Sequence, residues 1–285
     1  MIPSFDVQLA KKGMDKIQYP CMAEIKSNGR RNIAIVNGSE VKHYSRNGKE
    51  QPNFGFCDEE LIQISLGQTM VFDGEVRGRS GDHKKQYKES QKQARRKTNI
   101  DTSDLVYVVW DSMPLCDFKM KTCDRPQEDR HIFLRDCILE YQNSRHKQDP
   151  ERMANMLFKV MLSKGKEIGS EKELNKYFNK VTKKGEEGLI VKNLNGMYEF
   201  KRSDSWIKMK LENDIDLKII GVKEGKKSLA GHLGSISVKH GKTKVDCPCG
   251  KGIDRATAKK LWKKRKSLIG KIAKIEYMNV TEDNS

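Results

Sequence analysis

The feature that most constrains the fold is a series of short apolar segments, separated by turn residues, that begins near the N-terminus. Alternation of apolar and polar residues predicts β-strands at residues 22–25, 31–37 and 40–44. Asn37-Gly38 lies between the last two segments, and this dipeptide favours a tight β-hairpin. The same criteria predict further strands at residues 69–77, 105–111, 188–192 and 206–211.

Helical segments are predicted between these strands. Apolar residues recur at spacings of three and four over residues 127–142 and 170–182, which indicates amphipathic helices. Residues 83–99 are rich in Lys, Arg and Gln, and they suit either a solvated helix or a basic loop.

A domain boundary is predicted near residues 212–214, where the pattern changes to short strands with glycines. A basic helix at residues 255–266 and a last strand at residues 271–280 follow. Several short strands with one helix are typical of a small Greek-key β-barrel such as an OB-fold, although a fragment of a larger sheet would look similar. The expected domains are therefore residues 1–212 and 213–285.

The charge balance of the chain favours a polyanionic partner. Its 285 residues include 56 Lys and Arg against 39 Asp and Glu, a net charge of +17. Binding to phosphates releases counterions, but charge alone does not separate DNA, RNA and acidic membrane. The longest apolar runs, such as residues 105–110, are too short to cross a bilayer, and the N-terminus lacks the features of a signal peptide. We therefore expect a cytoplasmic protein without a membrane segment.

A lysine motif, Lys26-Ser27-Asn28-Gly29-Arg30-Arg31, follows the first predicted strand. Alone, Lys26 would be interpreted as a solvated surface residue. Any single motif of this kind is a weak signal, whereas a whole set in one order is not expected by chance. The motifs that follow in order are Ser45-Arg46-Asn47-Gly48, Phe72-Asp73-Gly74-Glu75, Val109-Trp110-Asp111, Glu187-Gly188-Leu189-Ile190-Val191-Lys192 and Trp206-Ile207-Lys208-Met209-Lys210.

This ordered set resembles the nucleotidyltransferase motifs of the ATP-dependent DNA ligase family, which has mRNA capping enzymes and RNA ligases as relatives. The resemblance extends from Pro20 to Tyr277, and residues 3–6 and 230–235 resemble the compact phage-type members in particular. It implies an α+β fold with an antiparallel-sheet nucleotidyltransferase (ATP-grasp-like adenylation) domain at residues 1–212. A small β-barrel OB-fold domain that binds DNA would follow at residues 213–285. The implied activity is the sealing of nicks in DNA replication, repair and recombination.

The resemblance assigns the nucleotide site residue by residue. Lys26 matches the nucleophile that attacks the α-phosphate of ATP and then carries AMP, and it must first lose a proton, which neighbouring cations and partial burial favour. Trp110 matches the aromatic residue that stacks on adenine, although ordinary core packing is an alternative for it. The remaining matches are Glu24 and Ile25 at the other edge of adenine, Arg31 at phosphate and ribose, and Lys208 and Lys210, on one strand face, at the α-phosphate.

The resemblance also assigns a metal site and DNA contacts. Glu75 matches a ligand of the ribose or the metal, and Glu187 matches a ligand of the catalytic metal, expected to be Mg²⁺ with Mn²⁺ as a substitute. Arg46 matches the arginine that holds the 5′-phosphate at the nick, a task suited to the guanidinium fork. Nicked duplex DNA is the expected partner of a monomeric protein, contacted by Arg30, Arg46, Lys259 and Lys263.

Two departures from the family pattern concern the first chemical step. Asn28 stands where the family more often has Asp, so a negative charge beside the lysine is lost. Residues 281–285 do not match the Arg- and Lys-bearing motif that commonly orients pyrophosphate, which leaves Lys226, Lys227 and Lys239 as weak substitutes. These departures motivate the alternative of a catalytically weak nick-binding protein.

A further alternative is an RNA ligase or a capping-type nucleotidyltransferase with the same core. Residues 72–75 and 230–235 favour a DNA ligase over it. An NAD-dependent ligase is disfavoured because its zinc-binding cysteine cluster has no counterpart among the seven cysteines of the chain.

Overall fold

The computed structural model describes residues 5–79, 83–148, 157–210, 213–241, 243–249 and 253–277. The chain divides into two compact units, Met1–Lys210 and Leu211–Ser285. Residue 212 of the expected boundary, and residues 278–280 of the predicted last strand, lie outside the described residues.

The first unit is built from short strands and a smaller number of helices. Its strands are β1 (Leu9–Lys11), β2 (Cys21–Ile25), β3 (Arg30–Asn37), β4 (Glu40–Tyr44), β5 (Met70–Gly78), β6 (Leu105–Pro114), β7 (Val160–Leu162), β8 (Gly165–Ile168), β9 (Gly188–Asn193) and β10 (Arg202–Lys210). Its helices are α1 (Asp58–Ile64), α2 (His83–Arg95), α3 (Leu115–Met120), α4 (Gln127–Gln148) and α5 (Glu171–Lys183).

These strands form two five-stranded sheets. The strand order is β4-β3-β5-β6-β7 in the first sheet and β1-β10-β9-β2-β8 in the second. Most neighbours are antiparallel, as the sequence predicted, but the pairs β6–β7 and β1–β10 are parallel. Parallel neighbours need a long connection, and α3 and α4 lie between β6 and β7 in the chain. The unit is therefore a mixed α/β structure.

Strand β3 shows how the layers are arranged. Ile33 and Ile35 belong to a buried cluster with residues of both sheets, whereas Ala34 and Val36 pack with residues of helices α1 and α4. Both faces of β3 are therefore covered by protein. This explains why its residues, after the polar ones at its start, form a nearly continuous apolar run. Helix α5 contributes to a third cluster with strands of the second sheet. The two sheets thus face each other, with helices on the outer sides.

Local signals in the sequence correspond to the observed turns and caps. Asn37 pairs with Glu40 across the hairpin, and Gly38 has the positive φ of 62° that such a turn requires. The side chain of Ser170 caps α5 by accepting a hydrogen bond from the backbone N–H of Glu173. The basic segment at residues 83–99 forms helix α2 as far as Arg95.

The second unit contains β11 (Asn213–Glu224), β12 (Leu233–His240), β13 (Thr243–Pro248), helix α6 (Arg255–Lys263) and β14 (Ile272–Tyr277). The described strands form an open antiparallel sheet in the order β13-β12-β11-β14, so the prediction of a closed barrel is not met. Strand β11 is long enough to pair with β14 along its first half and with β12 along its second half. One long strand therefore takes part in both halves of this sheet.

Among the described residues, the helices lack the combination of length and apolar character that crossing a membrane would require.

Candidate functional site

A cleft of about 780 Å³ opens between the two sheets of the first unit. Residues far apart in the sequence meet at its walls because the second sheet places β9 beside β2. The predicted site residues that line it are Glu24, Ile25, Lys26, Arg30, Arg31, Arg46, Glu75 and Trp110.

Lys26 lies just after β2 and is held against the start of β9. Its backbone N–H donates to the carbonyl oxygen of Gly188 at 2.9 Å, and its Nζ donates to Glu187 Oε2 at 2.6 Å. The side chains of Lys26 and Glu187 are 26% and 24% exposed, so both remain open to a ligand. Gly188 has φ 147°, and a Cβ there would lie 2.1 Å from the carbonyl oxygen of Met209. Only glycine permits this close approach of β9 to β10.

Glu75 is the second carboxylate near Lys26. Its Oε1 accepts a hydrogen bond from the backbone N–H of Gly29 at 2.6 Å. Burial raises the pKa of Glu75 to about 7, although Lys26, the N–H of Gly29 and Arg31 act in the opposite direction. A carboxylate under this desolvation penalty would be stabilised by a cation. Glu75 and Glu187 are therefore suited in chemistry to hold a divalent metal.

Arg31 is fixed by a buried carboxylate. Its Nε and Nη2 donate to the two oxygens of Asp73 at 2.9 and 2.6 Å, and its Nη1 donates to the carbonyl oxygen of Gln8 at 2.7 Å. Burial lowers the pKa of Arg31, but Asp73, Tyr198 and Glu75 together more than offset this and raise it overall. The guanidinium carbon lies 5.6 Å from the ring centroid of Trp110. Asp73 thus orients Arg31.

Lys192 is a site residue to which the sequence analysis assigned no role. Its Nζ donates to Glu24 Oε1 and to the carbonyl oxygen of Trp110, both at 2.8 Å, and lies 4.6 Å from the ring centroid of Trp206. The side chains of Lys192 and Glu24 are only 1% and 3% exposed. In the sequence, Lys192 is recognisable only as a lysine at the end of an apolar strand. The spacing of the residues does not indicate that its partner is Glu24.

Lys208 and Lys210 lie on β10 and are not among the residues that line the cleft. Lys208 is directly opposite Ile190 of β9, which does line it. Opposite residues of an antiparallel pair point to the same face, so Lys208 is on the cleft side of the sheet, as is Lys210 two positions on. Their contact with a phosphate stays a prediction.

The predicted DNA contacts are divided between the two units. Arg46 is exposed and lines the cleft, and Arg30 lies on the same wall. Lys259 and Lys263 are exposed in the second unit, four residues apart on helix α6 and therefore on one face of it. Two residues of helix α2 that the sequence analysis did not single out, Tyr87 and Gln91, also line the cleft.

Comparison with known proteins shows the family of this chain. Residues 5–210 match the model of the ATP-dependent DNA ligase domain. The chain belongs to the ATP-dependent DNA ligase family. The DNA ligase of Enterobacteria phage T4 is 26% identical over 281 residues, which cover 84% of this chain and 55% of the phage protein. This family member thus spans about half the length of the curated relatives it matches.

Solved structures of other proteins share the fold. The structure named Pmar-Lig_PreS3 is 25% identical with a TM-score of 0.80, over 99% of this chain and 65% of that chain. The ATP-dependent DNA ligase from bacteriophage T7, solved in complex with ATP, is 19% identical with a TM-score of 0.57. That match covers 100% of this ligase-family chain and 96% of the phage chain, and at this identity it shows the fold alone.

Proposed function

We propose that this chain is an ATP-dependent DNA ligase that seals 5′-phosphate/3′-hydroxyl nicks in duplex DNA through AMP carried on Lys26. The observation that carries the proposal is the placement of Lys26 in a cleft of about 780 Å³, with its Nζ bound to Glu187. Arg31 and Trp110 on the same walls supply a cation and an aromatic surface for a nucleotide.

The chemistry begins with the attack of Lys26 Nζ on the α-phosphorus of ATP. A P–N bond forms, the bond from the α-phosphorus to the bridging oxygen breaks, and pyrophosphate leaves. Glu187 Oε2, 2.6 Å from Nζ, holds the amine in place and is the nearest acceptor for the proton it gives up. AMP then passes to the 5′-phosphate of the nick, and the 3′-hydroxyl displaces AMP to form the phosphodiester.

Different residues of the cleft bind different parts of ATP. In this proposal Trp110 stacks on adenine, and the backbone of Glu24 and Ile25 faces the other edge of the base. Arg31, oriented by Asp73, contacts phosphate and ribose. The α-phosphate is held by Lys208 and Lys210.

Glu75 and Glu187 would hold Mg²⁺, or Mn²⁺ in its place. A bound divalent cation would neutralise charge on the phosphate oxygens. The fit rests on two carboxylates that flank Lys26, one of which is buried enough for its pKa to rise to about 7.

The proposal assigns residues 1–212 to an adenylation domain and residues 213–285 to an OB-type DNA-binding domain of a monomer. The division of the chain after Lys210 and the antiparallel sheet of the second unit support it. Nicked duplex DNA would be contacted by Arg46 at the cleft and by Lys259 and Lys263 on helix α6.

Intact-protein mass spectrometry after incubation with ATP and Mg²⁺ tests the first step. We expect one AMP adduct on the wild-type chain and none on Lys26→Ala, while Lys164→Ala, which removes an exposed lysine, should keep the adduct. A parallel incubation with GTP should leave the protein unmodified. A nick-sealing assay on labelled duplex DNA follows.

The outcomes separate the candidate functions. A GMP adduct would contradict the proposal in favour of a capping-type enzyme. No adduct, together with binding but no sealing of pre-adenylylated nicks, would leave a nick-binding protein without catalysis. Sealing of nicked RNA in preference to DNA would point to an RNA ligase.

A further inference from the structure

Arg30 is an arginine at the cleft wall that the described structure leaves without an anionic partner. Its Nε donates to Gln51 Oε1, and its Nη1 donates to Gln91 Oε1 at 3.0 Å, and both acceptors are neutral amides. Arg31 and Arg130, by contrast, form bidentate pairs with Asp73 and Asp111. A half-buried cation held only by neutral groups is costly and is stabilised when an anion binds.

The glutamine that holds Arg30 is itself fixed by a buried network. Gln51 is 3% exposed, and its Nε2 donates to the carbonyl oxygen of Arg31 and to Asn32 Oδ1, both at 3.2 Å. These two bonds leave only its oxygen to face Arg30. Asn32 Nδ2 lies 2.8 Å from His43 Nδ1, which extends the network into the core. The buried hydrogen-bond network therefore fixes the orientation of the Arg30 side chain.

The charge around Arg30 also favours an anion. Burial lowers the pKa of Arg30, and Arg95 at the end of helix α2 lowers it further, with a small opposing effect from Tyr87. A guanidinium has five N–H donors, and the two described hydrogen bonds engage two of them. The donors that remain have no acceptor among the described residues.

Arg30 lines the same cleft as Lys26 but is held on the side of the cleft formed by helix α2. Adjacent residues of a strand point to opposite faces, and Arg31 is bound to Asp73 while Arg30 is bound to Gln91 of helix α2. This helix carries further cations on its exposed surface, including Arg95. The ligand of Arg30 is therefore expected to approach along α2.

We infer that Arg30, with Arg95 and Tyr87, forms a phosphate subsite between β3 and α2 that takes a phosphodiester of the DNA backbone. Gln51 and Gln91 are positioning residues that aim the guanidinium at that phosphate. The inference rests on the proposed ligase function and adds a site for the DNA strand on the α2 side of the cleft.

Fluorescence anisotropy with a labelled nicked duplex, in EDTA so that no chemistry occurs, tests the subsite. Loss of one phosphate contact should reduce the slope of log affinity against log salt by about 0.9, measured between about 50 and 200 mM salt. Arg30→Gln should show this change and bind about tenfold more weakly, as expected for one charge-assisted hydrogen-bonded contact. Arg135→Gln, an exposed arginine paired with Asp136, is the charge-matched control and should retain the wild-type slope.

Two variants that keep a positive charge at residue 30 distinguish the loss of a phosphate contact from the loss of side-chain orientation. Arg30→Lys and Gln91→Leu should both weaken DNA binding while the salt slope stays within error of the wild-type value. Lys26 adenylylation, measured by mass, is followed in both, and it should be unchanged in the Arg135→Gln control, which lies outside the residues that line the cleft. Arg30→Lys also keeps the test valid if Arg30→Gln proves too unstable to purify.

Three results would overturn the inference. The first is an unchanged salt slope and affinity in Arg30→Gln, which would make Arg30 structural. The second is loss of Lys26 adenylylation with normal DNA binding, which would place its ligand on ATP. The third is a wild-type chain without salt-dependent affinity for nicked duplex, which would remove the proposed ligase function as well and is distinguished by the wild-type curve alone.

Discussion

Substitution of Lys192 by methionine tests the most deeply buried ion pair of the cleft. The side chain of Lys192 is 1% exposed, and its Nζ binds Glu24 Oε1 and the carbonyl oxygen of Trp110, each at 2.8 Å. Methionine has a similar length and fills the space, so the variant removes charge and hydrogen bonds with little change in volume. Glu24 would then be a buried carboxylate whose nearest cationic candidate is His131 Nδ1 at 3.8 Å.

The expected loss of folding stability follows from the interactions that Glu24 loses. Burial lowers the pKa of His131, against the opposing effect of the Glu24 carboxylate, so the imidazole is a poor substitute for the ammonium. Removal of one partner of a buried pair typically costs about 3–5 kcal/mol. The double variant Glu24→Gln with Lys192→Met has no stranded charge, so it should recover at least about half of that loss.

Urea unfolding followed by tryptophan fluorescence measures these differences. A Trp262→Phe background leaves Trp110 and Trp206, which both lie in the first unit, as the reporters. With a slope of about 2–3 kcal/mol/M, the single variant should lower the midpoint by about 1–2 M.

Two outcomes would refute this reasoning. One is a loss smaller than about 1 kcal/mol in Lys192→Met, which would mean that water or rearrangement solvates Glu24. The other is a double variant no more stable than the single one, which would mean that packing rather than charge accounts for the loss.

Two further predictions concern Glu75 and Gly188. Burial raises the pKa of Glu75 from 4.5 to about 7, so the native state binds a proton that the unfolded state releases between these values. Without divalent metal, stability should therefore fall as pH rises from 4.5 to 7, by at most about 3 kcal/mol, and Glu75→Gln should flatten this decline in urea titrations at several pH values. Gly188→Ala should cost at least about 2 kcal/mol in thermal unfolding, because its Cβ would lie 2.1 Å from the Met209 oxygen at φ 147°. Gly38→Ala, with open space around its Cβ, should cost only about 1 kcal/mol, and equal losses would contradict the steric argument.

Much of the site was predictable because its residues lie in short motifs whose order resembles that of a known family. Lys26, Arg31, Glu75 and Trp110 were identified in this way, and the structure places them on one cleft. The glutamines Gln51 and Gln91 gave no such signal, because a neutral amide acquires a role only from the group that it meets.

The sequence by itself determined the longer strands of the first unit, the hairpin at Gly38, helices α4 and α5 and the order of the motifs, because alternation, turns and caps act between near neighbours. It did not indicate the short strands β1, β7 and β8 or the short helices α1 and α3. Tertiary structure decided the parallel strand pairs, the open sheet of the second unit and the contact of Lys26 with Glu187. It also decided that Lys192 would neutralise Glu24. The physical reason is that strand order and burial depend on the whole chain, and they determine which charged residues meet and how strongly water screens them.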